Sequence, residues 1–299
     1  MEVYSNSFGA MNTRFVMVIP EMSQEDGDEL CKAIQSIVEK WENRLSRFRE
    51  GAELQRINAL AYESTISVST EMATVIDACD QYHSLTAGLF DPALASIYDA
   101  LKSTKSISDR DLEILKAASG WKNVEWDNTY RTIHFSTPKI ILDMGGIGKG
   151  IALKEVTAWL TSKNVKNAFL SFGESSIAGI GAHPYGEGWP VGVQNSHGAD
   201  SQESTCLLRD EFISISGLQK NQDNESAAHI YHPIKGRLVN KPWNVMVKCQ
   251  CPIQAEVLST SMYMADEIEL QKLKKTFPSV HWIGSSQPKE ESSHHIYKK

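Results

Sequence analysis

Hydrophobic residues recur at three- and four-residue steps in two long segments in the first half of the chain. The first segment follows Ser23 and carries Leu30, Ile34, Ile37, Val38, Trp41 and Leu45. The second follows Ser69 or Thr70 and carries Met72, Val75, Ile76, Cys79 and Tyr82. This spacing places the apolar side chains on one helix face, and Ser or Thr is favoured where a helix begins. We therefore predict two amphipathic helices whose apolar faces lie in the core.

From about residue 123 the hydrophobic pattern shortens to a period of two, which is typical of strands. Strand-like segments are 13–19, 124–126, 133–135, 140–142, 169–172, 191–193, 212–216, 245–247 and 280–283. Two helical stretches, 149–160 and 254–265, interrupt this half, and each follows a loop of unusual composition. With no low-complexity linker in between, we expect one domain over residues 1–285 and a polar tail over residues 286–299.

Composition narrows the classes of partner. The chain has 299 residues, of which 41% are hydrophobic, and a net charge of −7. This balance supports a large core and argues against nucleic acid or an anionic membrane as partner. No apolar run reaches the ~18 residues of a membrane span, and the first residues lack the features of a signal peptide. The five cysteines lack a zinc or redox spacing. We expect a soluble, cytoplasmic protein with reduced thiols.

The segment from Asp143 to Gly150, DMGGIGKG, is the sharpest motif. It lies between an apolar strand-like segment and an amphipathic helix. A glycine-rich turn with a lysine brings backbone N–H groups and one cation against phosphate oxygens. It is neither a P-loop nor a Rossmann fingerprint, because Gly150 follows Lys149 and Ile151 stands where the third glycine would be. A turn whose glycines serve only close packing is the alternative.

Two further segments carry candidate chemistry. Glu256 and Thr260 are four residues apart, so a carboxylate and a hydroxyl share one helix face, as would suit Mg²⁺. A solvated helix face is the commoner reason for such a pair.

His229, near a strand end, is a candidate general base because its ordinary pKa lies near neutral pH. A surface histidine without a catalytic role is the alternative. Residues 173–177 lack the closing glycine of a serine hydrolase elbow.

Taken in order, six segments resemble the motifs of the FAD:protein FMN transferase family, the ApbE-like flavin transferases, also described as thiamine-biosynthesis-lipoprotein-like. They are Met11-Asn12-Thr13, Leu45-Ser46-Arg47-Phe48, Gly88-Leu89-Phe90-Asp91-Pro92, Asp143 to Gly150, His229 with Pro233 and Gly236, and Ala255 to Thr260. The chain departs from the family pattern at three places: Glu256 and His232 each replace an aspartate, and Gly173-Glu174-Ser175 replaces Gly-Gly-Asp.

The resemblance implies an α+β, T-fold-like single domain with mixed or antiparallel sheets, flanking helices and an FAD cleft between its two halves. The residues it places at the flavin nucleotide are Met11, Phe48, Leu89, Phe90, Asp91, Asp143, Lys149 and Ile230. Those it places at Mg²⁺ are Gly146, through its carbonyl, with Glu256, Thr260 and the adjacent Ser259.

The implied reaction is attack by a threonine hydroxyl of a client protein on the FMN phosphorus of FAD, which releases AMP. His229 would be the base. The family's acceptor signature, Ser/Thr-Gly-Ala-Thr, does not occur in this chain, so the acceptor is expected in another polypeptide. An FAD pyrophosphatase, with water as acceptor, and a non-catalytic FAD-binding protein are the alternatives.

Overall fold

The structure is a computed structural model that describes residues 2–103, 107–193, 204–217, 219–220, 226–227, 230–241 and 243–284. Its helices are α1 Gln24–Leu45, α2 Glu53–Leu60, α3 Thr70–Leu85, α4 Ala95–Lys102, α5 Asp109–Ala118, α6 Gly148–Ser162, α7 Pro252–Met264 and α8 Glu267–Thr276. Its strands are β1 Val3–Ala10, β2 Thr13–Pro20, β3 Ile66–Ser67, β4 Val124–Asp127, β5 Thr132–Phe135, β6 Ala168–Phe172, β7 Ser176–Ile180, β8 Trp189–Val193, β9 Ser204–Leu208, β10 Glu211–Ser216, β11 Gln219–Lys220, β12 Ser226–Ala227, β13 Ile230–His232, β14 Arg237–Val239, β15 Val245–Cys249 and β16 His281–Gly284.

Seven strands form the central sheet in the order β1-β2-β6-β7-β10-β15-β16, and each neighbouring pair is antiparallel. The hairpin between β1 and β2 turns at Met11 and Asn12, which both have positive φ, 50° and 60°. Two such residues in succession give the twist that joins two antiparallel strands tightly. Smaller antiparallel sheets order as β3-β5-β4, β8-β9, β11-β12 and β13-β14. The fold is α+β, as expected.

The two amphipathic helices begin where the sequence predicts. The Ser23 side chain accepts a hydrogen bond from the Asp26 N–H at the start of α1, and Ser69 accepts one from Met72 at the start of α3. These bonds satisfy backbone donors that have no partner inside the helix. The predicted apolar faces are buried, for example at Ile34 and Ile76, each 0% exposed. Both predictions are confirmed.

Helix α7 packs against β10 and β15 of the central sheet, and helix α6 crosses α7 at close range. At Gly150, an added Cβ would lie 2.7 Å from the carbonyl oxygen of Pro252 and 3.0 Å from Cγ of Glu256. Only a residue without a side chain permits this approach. The glycine therefore sets the distance between the helix that carries Lys149 and the helix that carries Glu256.

The predicted strand over residues 140–142 is wrong, because this extended segment pairs with no neighbouring strand. Its backbone groups bond elsewhere: the Leu142 N–H donates to Oδ1 of Asn58 at 2.8 Å, and its carbonyl accepts from Nδ2 of Asn58 at 2.9 Å. The Asp143 N–H donates to the carbonyl of Pro92. A side-chain amide supplies the donor and acceptor that a strand would have supplied.

The structure describes no helix that combines the length and the apolar character needed to cross a membrane.

Candidate active site

A cavity of about 700 Å³ opens beside one end of the central sheet. Its wall comes from eight separate parts of the described chain: the β1–β2 turn, the segment leading into and including the first turn of α4, the turn before α6, the β6–β7 turn, the end of β10, the β13 hairpin, the residue before β15, and α7. Residues far apart in sequence therefore face one space, which has the size usual for a small-molecule or cofactor site.

The glycine-rich turn forms the floor beside α6. Oδ1 of Asp143 accepts a hydrogen bond from the Gly145 N–H at 2.7 Å, which fixes the start of the turn. Gly146 and Lys149 line the cavity, and α6 begins at Gly148. The first N–H groups of a helix and its dipole favour an anion at this end. The structure thus places the start of a helix and a lysine at the cavity, and binding of phosphate by this turn stays a prediction.

Lys149 and Glu256 meet across the cavity wall. Nζ of Lys149 lies 3.3 Å from Oε2 of Glu256 and donates to Oγ of Ser175 at 3.3 Å. The second carboxylate oxygen of Glu256 accepts a short hydrogen bond from the Ser176 hydroxyl. The Glu256 side chain is only 5% exposed, so Lys149 and Ser176 take the place of water around its carboxylate.

A cluster of hydroxyl groups adjoins Glu256. Oγ of Ser259 lies 2.9 Å from Oγ of Ser214 and 2.8 Å from Oγ of Ser216, and Oγ of Ser216 lies 3.0 Å from Oγ1 of Thr260. Ser259 is fully buried, whereas Thr260 lines the cavity. Ser259 therefore lies behind the wall and hydrogen-bonds to its serines, whereas Thr260 is part of the wall itself.

Asp91 organises the loop on the opposite side. Oδ1 of Asp91 accepts the N–H of Ala93 at 2.9 Å, and its carboxylate also accepts the N–H of Trp121. Burial raises the pKa of Asp91 from its ordinary value, although these two N–H groups oppose the shift. The side chain therefore holds the loop that presents Leu89 and Phe90 to the cavity.

His232 is a buried residue of the same β13–β14 hairpin that carries Ile230 and Tyr231. Its Nδ1 accepts the N–H of Lys235 at 3.2 Å, and its Nε2 lies 3.2 Å from Oε2 of Glu269 on α8. Burial lowers the pKa of His232, so the ring is neutral and Nε2 donates its hydrogen to Glu269. The residue ties the hairpin to α8.

Most of the residues that the resemblance assigned to the site line the cavity. Those in its wall are Leu89, Phe90, Asp91, Asp143, Gly146, Lys149, Ile230, Glu256 and Thr260. Among the described residues, three predicted ones are not in the wall: Met11 is half-buried against the core, Phe48 is 77% exposed and Ser259 is buried. His229, the predicted base, lies outside the described residues.

The sequence interpretation missed several wall residues. Asn12 lines the cavity next to Met11, and Tyr98, Ser175 and Asn244 also face it. Asn12 could have been found, because Asn at a two-residue hairpin turn projects beyond the ends of both strands. Asn244 could not, since it belongs to no motif and reaches the site only through the packing of β10 against β15.

The wall combines Lys149, the N-terminus of α6, the carboxylates of Asp91, Asp143 and Glu256, and several hydroxyl groups. The first two suit a polyanion such as a pyrophosphate. The Gly146 carbonyl, the Glu256 carboxylate and the Thr260 hydroxyl are hard oxygen donors of the kind that Mg²⁺ prefers. The described residues hold no group of three or more His, Cys, Asp or Glu side chains placed for a metal. A cation here would therefore rely on neutral oxygens besides Glu256.

Comparison with known proteins points to a single family. Residues 11–282 match the model of the ApbE family. Curated relatives named FAD:protein FMN transferase include one from Chlamydia trachomatis serovar D, 28% identical over 72% of this chain and 66% of the relative. Another, from Vibrio cholerae serotype O1, is 23% identical over 81% of this chain and 75% of the relative. The chain thus spans slightly less than two thirds of the length of the Chlamydia trachomatis relative.

Solved structures share the fold. The flavin transferase ApbE from Vibrio cholerae superposes with a TM-score of 0.82 at 22% identity, over 95% of this chain and 93% of that one. The ApbE protein from Thermotoga maritima superposes with a TM-score of 0.80, also at 22% identity, over 95% and 94%. The architecture is therefore shared along nearly the whole length of each chain.

Proposed function

This chain belongs to the ApbE family, and from that premise we propose that it is an FAD:protein FMN transferase that moves FMN from FAD to a threonine hydroxyl of a client protein. One observation carries the proposal: the glycine-rich turn with Lys149 and the helix with Glu256 and Thr260 face a single cavity. The names of the relatives support the same activity.

The reaction breaks one P–O bond and forms another. The acceptor oxygen bonds to the FMN phosphorus, the bond between that phosphorus and the bridging oxygen breaks, and AMP leaves with the electron pair. Lys149 would bind the pyrophosphate and stabilise the charge that develops on it, and the dipole of α6 would add to this at the helix N-terminus. The hydroxyl proton passes to a base, for which His229 is the candidate from the sequence.

Mg²⁺ fits the oxygen donors of the wall. Glu256, Thr260 and the carbonyl of Gly146 would hold it, and Ser259 would orient Thr260 through Ser216. A bound Mg²⁺ would neutralise phosphate charge. Glu256 would then exchange its contact with Lys149 for the metal, which frees the lysine for the anion.

The test is incubation of the purified protein with FAD, Mg²⁺ and a client protein that contains a Ser-Gly-Ala-Thr segment. We expect AMP in solution and in-gel flavin fluorescence on the client, with loss of both in excess EDTA. The matched control is the same client with the acceptor threonine replaced by alanine.

Each outcome has a distinct meaning. AMP with FMN in solution and no labelled client would identify a pyrophosphatase instead. Bound FAD without AMP release would identify a flavin-binding protein. Full activity in EDTA would overturn the metal assignment alone.

A further inference from the structure

Arg47 joins two carboxylates at the edge of the cavity. Nε donates to Oδ2 of Asp143 at 2.6 Å, and Nη1 and Nη2 donate to the two oxygens of Asp99 at 2.7 Å each. The Arg47 side chain is 11% exposed. Three N–H groups of one planar guanidinium are therefore committed to fixed partners, the geometry for which arginine is suited and lysine is not.

Both carboxylates belong to parts of the chain that form the wall. Asp143 lines the cavity, and Asp99 follows Tyr98, which also lines it. Without a cation between them, the two negative charges would repel each other and any anionic ligand. Arg47 thus holds α4 and the glycine-rich turn together and offsets part of their charge.

The same guanidinium covers an aromatic ring. Its central carbon lies 4.2 Å from the ring centroid of Phe48, whose side chain is otherwise 77% exposed. A cation on one face of an aromatic ring fixes the ring's orientation and leaves the other face available for stacking. Phe48 lies outside the cavity wall that the described residues form, and Arg47 connects it to Asp143 within that wall.

We propose that Arg47 is a positioning residue that presents Asp143 and Phe48 to one planar ring of the bound nucleotide. The inference rests on the proposed function and deepens it. Oδ1 of Asp143 accepts from Gly145 and Oδ2 from Arg47, so each oxygen keeps acceptor capacity for a ring N–H. The Asp143 side chain is 40% exposed, which leaves it accessible to such a donor. The isoalloxazine and adenine rings of FAD both offer a flat face and an N–H donor.

The test measures FAD affinity in EDTA, where binding is separated from turnover. We expect Arg47→Gln to weaken FAD binding about tenfold. Arg47→Lys should recover part of the affinity, because lysine restores the positive charge but lacks the planar guanidinium that bonds to both carboxylates. Arg44→Gln is the matched control: Arg44 lies on α1 and pairs with Glu53 and Glu71, which are not among the described residues of the wall. Its FAD affinity should stay within twofold of the parent.

A double-mutant cycle separates positioning from general destabilisation. If Arg47 acts through Asp143, the losses from Arg47→Gln and Asp143→Asn are not additive, whereas those from Arg47→Gln and Lys149→Ala add. Riboflavin and adenosine then serve as separate probes for the two rings. Arg47→Gln should weaken binding of one of them by a larger factor than it weakens binding of inorganic pyrophosphate.

Three results would overturn the inference: unchanged FAD affinity in a folded Arg47→Gln protein, additive losses with Asp143→Asn, or equal loss of pyrophosphate binding. A parent protein that binds no FAD would overturn the proposed function together with this inference. A parent that transfers FMN while Arg47→Gln binds FAD normally would overturn the inference alone.

Discussion

Lys149 contacts the Glu256 carboxylate and also lines the cavity. Its Nζ lies 3.3 Å from a Glu256 oxygen, and its side chain is 23% exposed. A partly solvated lysine on a flexible stem can change partners at small cost, since its ammonium group carries three donors. The Lys149 ammonium group can therefore exchange its contact with Glu256 for another anion without movement of the backbone.

Replacing this lysine tests its role. We expect Lys149→Ala to weaken FAD affinity by tenfold or more, because the cation that we propose binds the pyrophosphate is lost. Lys154→Ala is the matched control, since Lys154 is exposed on the same helix. A flavin titration decides the matter, and equal affinities for the two variants would remove Lys149 from the phosphate site.

His229 is predicted to act on rate and not on binding. Replacement by alanine or glutamine should reduce flavin transfer by about 10²–10⁴-fold, the usual contribution of a positioned base, and leave FAD affinity nearly unchanged. Transfer rate, FAD affinity and thermal midpoint are measured on one preparation. A stable variant that binds FAD and transfers FMN at the parent rate would disprove the assignment.

Single residues were predictable where a motif fixed their surroundings. Asp143, Gly146 and Lys149 lie in one glycine-rich run, so their shared placement follows from local sequence. The contact of Lys149 with Glu256 did not follow, because it depends on how closely α6 crosses α7. The contact of Arg47 with Asp99 and Asp143 likewise joins three segments that only tertiary packing brings together.

At the scale of elements, the crossing of α6 and α7 is set at Gly150. We expect Gly150→Ala to destabilise the fold by about 1–3 kcal/mol, since the added methyl group would force the helices apart, although alanine is the better helix former. Gly9→Ala is the control, because an added Cβ there meets nothing within 4 Å. Chemical denaturation measures both variants, and equal free energies of unfolding would contradict the packing argument.

The attachment of the β13–β14 hairpin to α8 is predicted to weaken at mildly acidic pH. The pKa of His232 is lowered in the folded state, so the unfolded chain binds the proton more readily as pH falls below about 6.5. Stability is thus present above that pH and decreases below it, by at most about 1.4 kcal/mol per pH unit for one proton. Glu269 opposes the shift, whereas Lys235 and Arg237 reinforce it.

Denaturation between pH 7.5 and 5.5 checks this expectation. His232→Gln should flatten the pH dependence, and His281→Gln, at an exposed position, should leave it as in the parent. A parent whose stability does not change over this range would show that the hairpin is insensitive to this proton.

Helices proved easier to predict than strands. The starts of α1 and α3 follow from a serine cap and a regular apolar face, both of which are local features. The segment 140–142 has the composition of a strand, but Leu142 bonds to the side chain of Asn58, and the Ile141 carbonyl accepts the N–H of Ala95 at the start of α4. An apolar run alone does not tell which partner its backbone will find.

At the scale of the whole molecule, ligand binding should stabilise the fold. The wall of the cavity runs from Asn12 to Met264, so a nucleotide bound as we propose would contact segments from both halves of the chain. At a concentration of FAD about 100 times its dissociation constant, we expect about 2.7 kcal/mol of added stability and a thermal midpoint several degrees higher. Circular dichroism follows the transition, and Lys149→Ala at the same FAD concentration should show a smaller shift.

The spread of the wall along the chain has a consequence for synthesis. Strand β2 pairs with β6 across more than a hundred intervening residues, and α7, which carries Glu256 and Thr260, follows later still. Pairing between strands so far apart in sequence is slow to form. During synthesis, β2 cannot pair with β6 until β6 has left the ribosome. A nascent chain that ends before α7 would lack the carboxylate and the Thr260 hydroxyl of the site. Capture of the nucleotide would then require that synthesis has passed α7.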